Sequence, residues 1–200
     1  MKALLMLSRW IDIANEKIGQ ASIWFILAMT LISAGNAVMR KAFDISSNAL
    51  LEVQWYLFSA VFLFCAAYAL QKNAHVRIDV LYGRFSRRTQ VWIDILGTLL
   101  FLLPMAVMIL WLSWPVFTTS LASHEVSPNA GGLPFWPARA LVPIGFAMLI
   151  LQALSEIVKR IAFLTGAGPD PMAGEAGPSE EEALAEEIRK MRAAGAEEAK

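Results

Sequence analysis

The sequence predicts an all-α integral membrane protein of four spans, with an N-terminal interfacial amphipathic helix and a mostly disordered cytoplasmic tail. Three observations predict it. Long stretches are free or almost free of charge, as in Ile18–Met39 and Val53–Gln71. The chain is 57% hydrophobic and 17% charged, whereas a soluble domain carries about 25% charged residues. The basic residues also gather on alternate sides of the apolar runs, as they do when loops are sorted across a bilayer.

In residues 1–17, Leu4, Leu7, Ile11 and Ala14 recur at helical spacing, with Lys2, Arg9, Asp12 and Lys17 elsewhere. This pattern reads as an amphipathic helix on the membrane surface, with Trp10 at headgroup depth, or as the solvated lead-in to the first span. The first span is 18–39, closed by Arg40-Lys41, and Asp44 to Asn48 is a short loop with N-cap residues. The second is about 50–71. Its uncharged part alone makes about 28 Å of helix, close to the hydrocarbon thickness of a bilayer. In lipid the backbone must satisfy itself, so the segment is a helix and it crosses.

The third span is 91–114, with Asp94 about one turn in and Pro104 near its centre, where a missing N–H favours a kink. No charge appears from 95 to 123, so this helix is tilted or continues beyond the membrane. Ser120–Pro137 is dense in turn residues around Pro128-Asn-Ala-Gly-Gly-Leu-Pro134. Trp136 anchors the fourth span, 136–163, which ends near Glu156 and Lys159-Arg160. The membrane domain is thus 18–165. From Gly166 the chain turns breaker-rich and acidic. Residues 166–200 read as a flexible tail, with a capping box at Ser179–Glu182 opening a transient helix.

Placing both termini in the cytoplasm puts Lys2, Arg9, Lys17, Lys72, Arg77, Arg84, Arg87, Arg88, Lys159 and Arg160 inside. Only Arg40, Lys41 and Arg139 are then outside, ten against three. Four spans then return the chain to the side it started from.

Composition excludes several functions. Net charge is zero, which gives no electrostatic basis for nucleic-acid binding. The single cysteine, Cys65, rules out an internal disulfide or a redox dithiol and reads as a packing residue. Two histidines, neither in mid-span, supply no bis-His haem ligand set. No cleavable signal peptide is apparent at the N-terminus. No cofactor or metal is expected, and no catalytic group.

The residues that carry chemistry sit at span ends. Glu52 reads as a proton or cation site, or as a carboxylate that caps its own helix or pairs with Arg40, Lys41 or another subunit. His75, Arg77 and Asp79 alternate at the exit of the second span and read as a cytoplasmic lock, too few for a metal site. Asp94 is expected to pair with Arg87, Arg88 or a helix N-terminus. Arg40, Lys41, Asp44, His124 and Glu125 lie on the outer loops and form a candidate docking surface. The small residues Cys65-Ala66-Ala67 and Ala69 permit close helix approach in lipid. The mid-span positions lack Asp, Glu, Lys, Arg and His, the groups with which transporters hold a substrate or an ion.

The stretch Leu50–Arg88 carries a resemblance. An acid at a span entrance, the Ala-rich Cys65-Ala-Ala-Tyr68-Ala-Leu, then His75-x-Arg77-x-Asp79, resembles the small, DctQ-like membrane subunit of tripartite ATP-independent periplasmic (TRAP) transporters, over roughly residues 10–165. The resemblance implies a non-catalytic subunit of a sodium-coupled symporter for organic acids. Its implied partners are a large multi-span transport subunit, which it braces, a periplasmic substrate-binding protein, which it helps dock, and membrane lipids. The Ser120–Arg139 segment resembles a branch linked to carboxylates such as keto acids. The rival reading is a self-sufficient homo-oligomeric exporter or channel using Glu52.

Overall fold

The computed structural model describes residues 2–74 and 85–169. His75, Arg77, Asp79 and Arg84 lie outside the described residues, as do the tail beyond Pro169 and its capping box. Among the described residues, four helices are long and apolar enough to cross a membrane: α1 (Lys2–Phe43), α2 (Asn48–Gln71), α3 (Arg87–Ala122) and α4 (Trp136–Leu164). The protein is an all-α membrane protein. Among the described residues the only β pairing is a single bridge between Val126 and Pro134.

The amphipathic N-terminal segment and the first apolar run are one unbroken helix of 42 residues, about 63 Å long. No proline interrupts it, and each residue added to an existing helix gains a backbone hydrogen bond. A hydrocarbon core is about 30 Å thick, so α1 continues well past it.

α2 begins after Ser47, which has the extended backbone of an N-cap but makes no side-chain cap bond. The N-cap chemistry expected in this loop is not used. Asn48 instead sends its side chain across to the 123–135 loop.

α3 runs further than its apolar core at both ends. Five residues before the proline ring, Thr98–Leu102, are wound as a π-helix. Pro104 lacks the N–H that would reach Leu100, and its ring would crowd that carbonyl, so a wider turn relieves the conflict. Pro115 is then carried inside the same helix.

α4 is the hub. It packs against α1, α2 and α3, and α1 also packs along α2, whereas α3 rests chiefly on α4. The interior is small: Ala60, Ala67, Ala106, Ala153 and Ala162 are all buried. Large apolar side chains point outward, Phe101 at 76% and Trp111 at 78% exposure among them. Lipid is as apolar as leucine, so such residues gain nothing from the interior, and close backbone approach decides what packs. Two glycines mark the tightest crossings. A Cβ on Gly19 would sit 2.6 Å from Tyr68 Cγ of α2, and one on Gly145 would sit 2.7 Å from Leu63 Cβ.

Candidate functional site

Two polar clusters occupy opposite ends of the bundle. The first is built on one face of α2. Asn48, Glu52 and Tyr56, each four residues from the next, lie in a row along the helix. Against them folds a small hairpin. Ser127 N–H donates to the Leu133 carbonyl, and Phe135 N–H to the Glu125 carbonyl, both at 2.9 Å. Gly132 N–H closes the turn onto Asn129 at 2.9 Å. Gly131 takes φ +70 within it, a conformation nearly free for glycine and strained for most residues.

Each member of the row grips a different part of the hairpin. Asn48 Nδ2 donates to the Ala130 carbonyl at 3.2 Å, and Tyr56 OH to the Pro134 carbonyl at 2.7 Å. Glu52 is the centre, 3% exposed. Its Oε1 accepts from Ser127 Oγ and from Asn129 Nδ2 at 2.9 Å, and its Oε2 accepts from the Leu133 N–H at 2.6 Å. An ionised carboxylate is an acceptor only, and here it meets both sides and the turn of one loop. The pairing with Arg40 or Lys41 and the capping of its own helix, both open on the sequence, are replaced by this clamp. The reason is that the turn-rich segment folds back over the start of α2 and brings three donors to it.

The hairpin is closed at its base by an ion pair. Arg139, in the first turn of α4, binds both carboxylate oxygens of Glu125, and its guanidinium lies 5.4 Å from the Phe135 ring centre. Glu125, a docking candidate on the sequence, is therefore engaged within the chain. Arg40, Lys41, Asp44 and His124 are exposed at this same end. Asp44 and His124 both have positive φ, 57 and 49.

The second cluster joins the N-terminal part of α1 to the C-terminal part of α4. Ser8 Oγ lies 2.6 Å from Ser155 Oγ, and Asn15 Nδ2 donates to Gln152 Oε1 at 2.7 Å. Asp12 accepts from Gln152, Ser155 and Lys159 at 2.8, 3.0 and 3.0 Å. Glu156 accepts from Gln152 at 2.9 Å, from Lys159, and from Arg160 at 2.9 Å. Arg160 reaches Asp94 of α3 at 3.4 Å and Asn73 beyond α2 at 3.3 Å. Charge thus alternates along Asp12, Lys159, Glu156, Arg160 and Asp94, tying three helices together. Asp94 meets Arg160, a partner the sequence reading did not name. The expected partners were Arg87, Arg88 or a helix N-terminus, and the α3–α4 packing brings Arg160 to it.

This second cluster escaped sequence reasoning, yet its signal is present. On α1, Ser8, Asp12, Asn15, Gly19 and Ser22 are spaced by fours and threes, a seam of polar and small residues. Ser8, Asn15, Gly19 and Ser22 are buried, while Leu4 and Leu7 are half exposed. The amphipathic face is thus turned round: its polar side faces protein and its apolar side faces outward. On α4 the matching stripe is Gln152, Ser155, Glu156, Lys159 and Arg160. Beside the cluster, Lys72 bonds Glu16 at 2.9 Å, which holds the Lys72 ammonium above its ordinary pKa.

Among the described residues no group of three or more His, Cys, Asp or Glu side chains is placed to hold a metal ion. Each polar cluster binds parts of the chain to one another.

A family model described as "Tripartite ATP-independent periplasmic transporters, DctQ component" matches residues 29–163. The match takes in Glu52 and its hairpin and all of α2 and α3, and leaves out the α1 half of the second cluster. No curated protein matches the chain.

Proposed function

Since the chain belongs to the DctQ component family of tripartite ATP-independent periplasmic transporters, we propose that it is the small, non-catalytic scaffold subunit of such a transporter, one that moves organic acids with sodium. A large multi-span subunit carries substrate and ion, this chain braces it, and a periplasmic binding protein docks at the hairpin end. The chain sits in a bacterial inner membrane with both termini cytoplasmic, which the distribution of basic residues supports.

The observation that carries the scaffold reading is the use made of Glu52. It is the acid that a proton- or cation-carrying role would need, and its two oxygens accept three hydrogen bonds from one loop. A carboxylate so engaged holds structure and is poorly placed to bind and release an ion. The charges of the other cluster are likewise paired, Lys159–Asp12 and Arg160–Asp94 across helices and Arg160–Glu156 within α4. A rigid partner suits a transporter whose large subunit moves, because displacement across a bilayer needs a stationary reference.

Docking at the hairpin end is supported by exposed Arg40, Lys41, Asp44 and His124 around a loop held in one shape. Asp94 serves as a lock between helices, and the same part is proposed for His75, Arg77 and Asp79.

The test is reconstitution in liposomes under a sodium gradient. The purified chain alone gives no organic-acid uptake, and adding the large subunit and binding protein gives uptake. Uptake by this chain alone, abolished by Glu52→Gln, would overturn the scaffold reading in favour of a self-sufficient exporter.

A further inference from the structure

A groove of about 450 Å³ opens between α2 and α4 at the hairpin end. Its mouth is polar and its floor is not. At the mouth stands Arg139, paired with Glu125, the two side chains 33% and 37% exposed. Below, the walls are Trp55, Phe58 and Phe62 of α2 and Val142 of α4. Phe62 is 69% exposed and lies about 21 Å along α2 from its start, past the helix midpoint. Along α2 the apolar part of the groove runs about 10 Å, from Trp55 to Phe62, with Arg139 at its outer end.

We propose that this groove holds one phospholipid of the ethanolamine type, with its phosphate on Arg139, its ammonium toward Glu125 and an acyl chain along Phe58, Phe62 and Val142. The argument is complementarity along the groove's length. The mouth offers a positive and a negative group side by side. Two of the five guanidinium N–H groups are used on Glu125, which leaves donors for a phosphate, and the carboxylate oxygens retain lone pairs for an ammonium. A headgroup carrying only negative charge meets Arg139 but is repelled by Glu125. Size points the same way. Spread over the about 10 Å from Trp55 to Phe62, 450 Å³ gives a cross-section roughly half that of a helix 10–12 Å wide. A methylene chain enters such a space, and a transmembrane helix does not. The inference stands independently of the transport reading.

The experiment is native mass spectrometry of the full chain, stripped of lipid in detergent and titrated with phosphatidylethanolamine or phosphatidylglycerol. One phosphatidylethanolamine binds per chain, about tenfold more tightly than phosphatidylglycerol. Glu125→Gln removes that preference. Val142→Trp fills the floor and weakens binding about tenfold. Ala138→Phe, which narrows the mouth, repeats the loss without touching the floor, and both variants are compared at equal helicity by circular dichroism. Equal affinity for the two lipids overturns the proposal. So does full retention of phosphatidylethanolamine in both groove variants.

Discussion

The backbone N–H of Leu133 donates to Glu52 Oε2 at 2.6 Å across 81 positions of sequence. This bond, with those from Ser127 and Asn129, makes an acid at the head of one helix the fastening point of a loop that precedes another. The chemistry at Glu52 is therefore read first as architecture.

Glu52→Gln replaces one acceptor oxygen by a donor, which then faces either the Leu133 N–H or the Ser127–Asn129 pair. Leaving a buried donor unsatisfied costs about 1–3 kcal/mol. Hydrogen exchange should show amides 127–133 losing protection by roughly ten- to a hundredfold, with those of α4 little changed. Asn48→Ala and Tyr56→Phe each remove one hydrogen bond and should cost about 0.5–1.5 kcal/mol. Unchanged protection in Glu52→Gln would show that the clamp is not what holds the hairpin.

Arg160→Met leaves Glu156, 2% exposed, without its α4 arginine partner and removes a link to Asp94. Breaking one side of a buried pair costs about 3–5 kcal/mol, so the variant should melt early or fail to accumulate. The double change Arg160→Met with Glu156→Leu should recover much of the loss, because an apolar pair of similar volume is often tolerated. Thermal melting of the purified chain in detergent decides it; a double variant worse than Arg160→Met alone contradicts the account.

The two tight glycines each face the root of a neighbouring side chain. A Cβ on Gly19 meets Tyr68 Cγ at 2.6 Å and Tyr68 Cβ at 2.8 Å, and on Gly145 it meets Leu63 Cβ at 2.7 Å with the Leu63 carbonyl at 3.3 Å. Neither root can swing away without moving its helix, so Gly19→Ala and Gly145→Ala should each destabilise by about 1–3 kcal/mol through overpacking. Gly35 and Gly97 have nothing within 4 Å of such a Cβ, and alanine there should be neutral or stabilising by about 0.4–1 kcal/mol. Melting temperatures of the four variants test the ranking.

Ala130, on the hairpin turn, and Arg88, at the start of α3, are both exposed and belong to connections on opposite sides of the bundle. In a Cys65→Ala background, an impermeant thiol reagent applied to intact cells should label Ala130→Cys and leave Arg88→Cys unlabelled until the cells are opened. The reverse pattern would place both termini outside.

Much of the architecture was legible in the sequence, because a bilayer is an unforgiving solvent. A predominantly apolar run long enough to cross it can only be a helix, and four such runs at Ile18, Val53, Val91 and Trp136 determine a four-helix membrane protein. The acid at Glu52, the breaker residues from Pro128 to Pro134 and the small residues near Ala67 were visible in the same way. Each is a local property of composition or spacing.

Which residues meet was not local. Only the packing of α4 against the other three helices brought Arg160 to Asp94, or turned Ser8, Asp12 and Asn15 inward. Helical periodicity shows that a face is polar but does not say whether that face meets water or protein. In an aqueous solvent the apolar side would be buried by default. In lipid the apolar side has no preference for the interior, so the polar side can be buried, provided another helix brings partners. The stripe from Gln152 to Arg160 is that partner, and tertiary structure alone paired it with α1. Likewise, nothing near Glu52 in sequence disclosed its donors. They arrive 75 or more positions later, when the segment after α3 folds back over the start of α2.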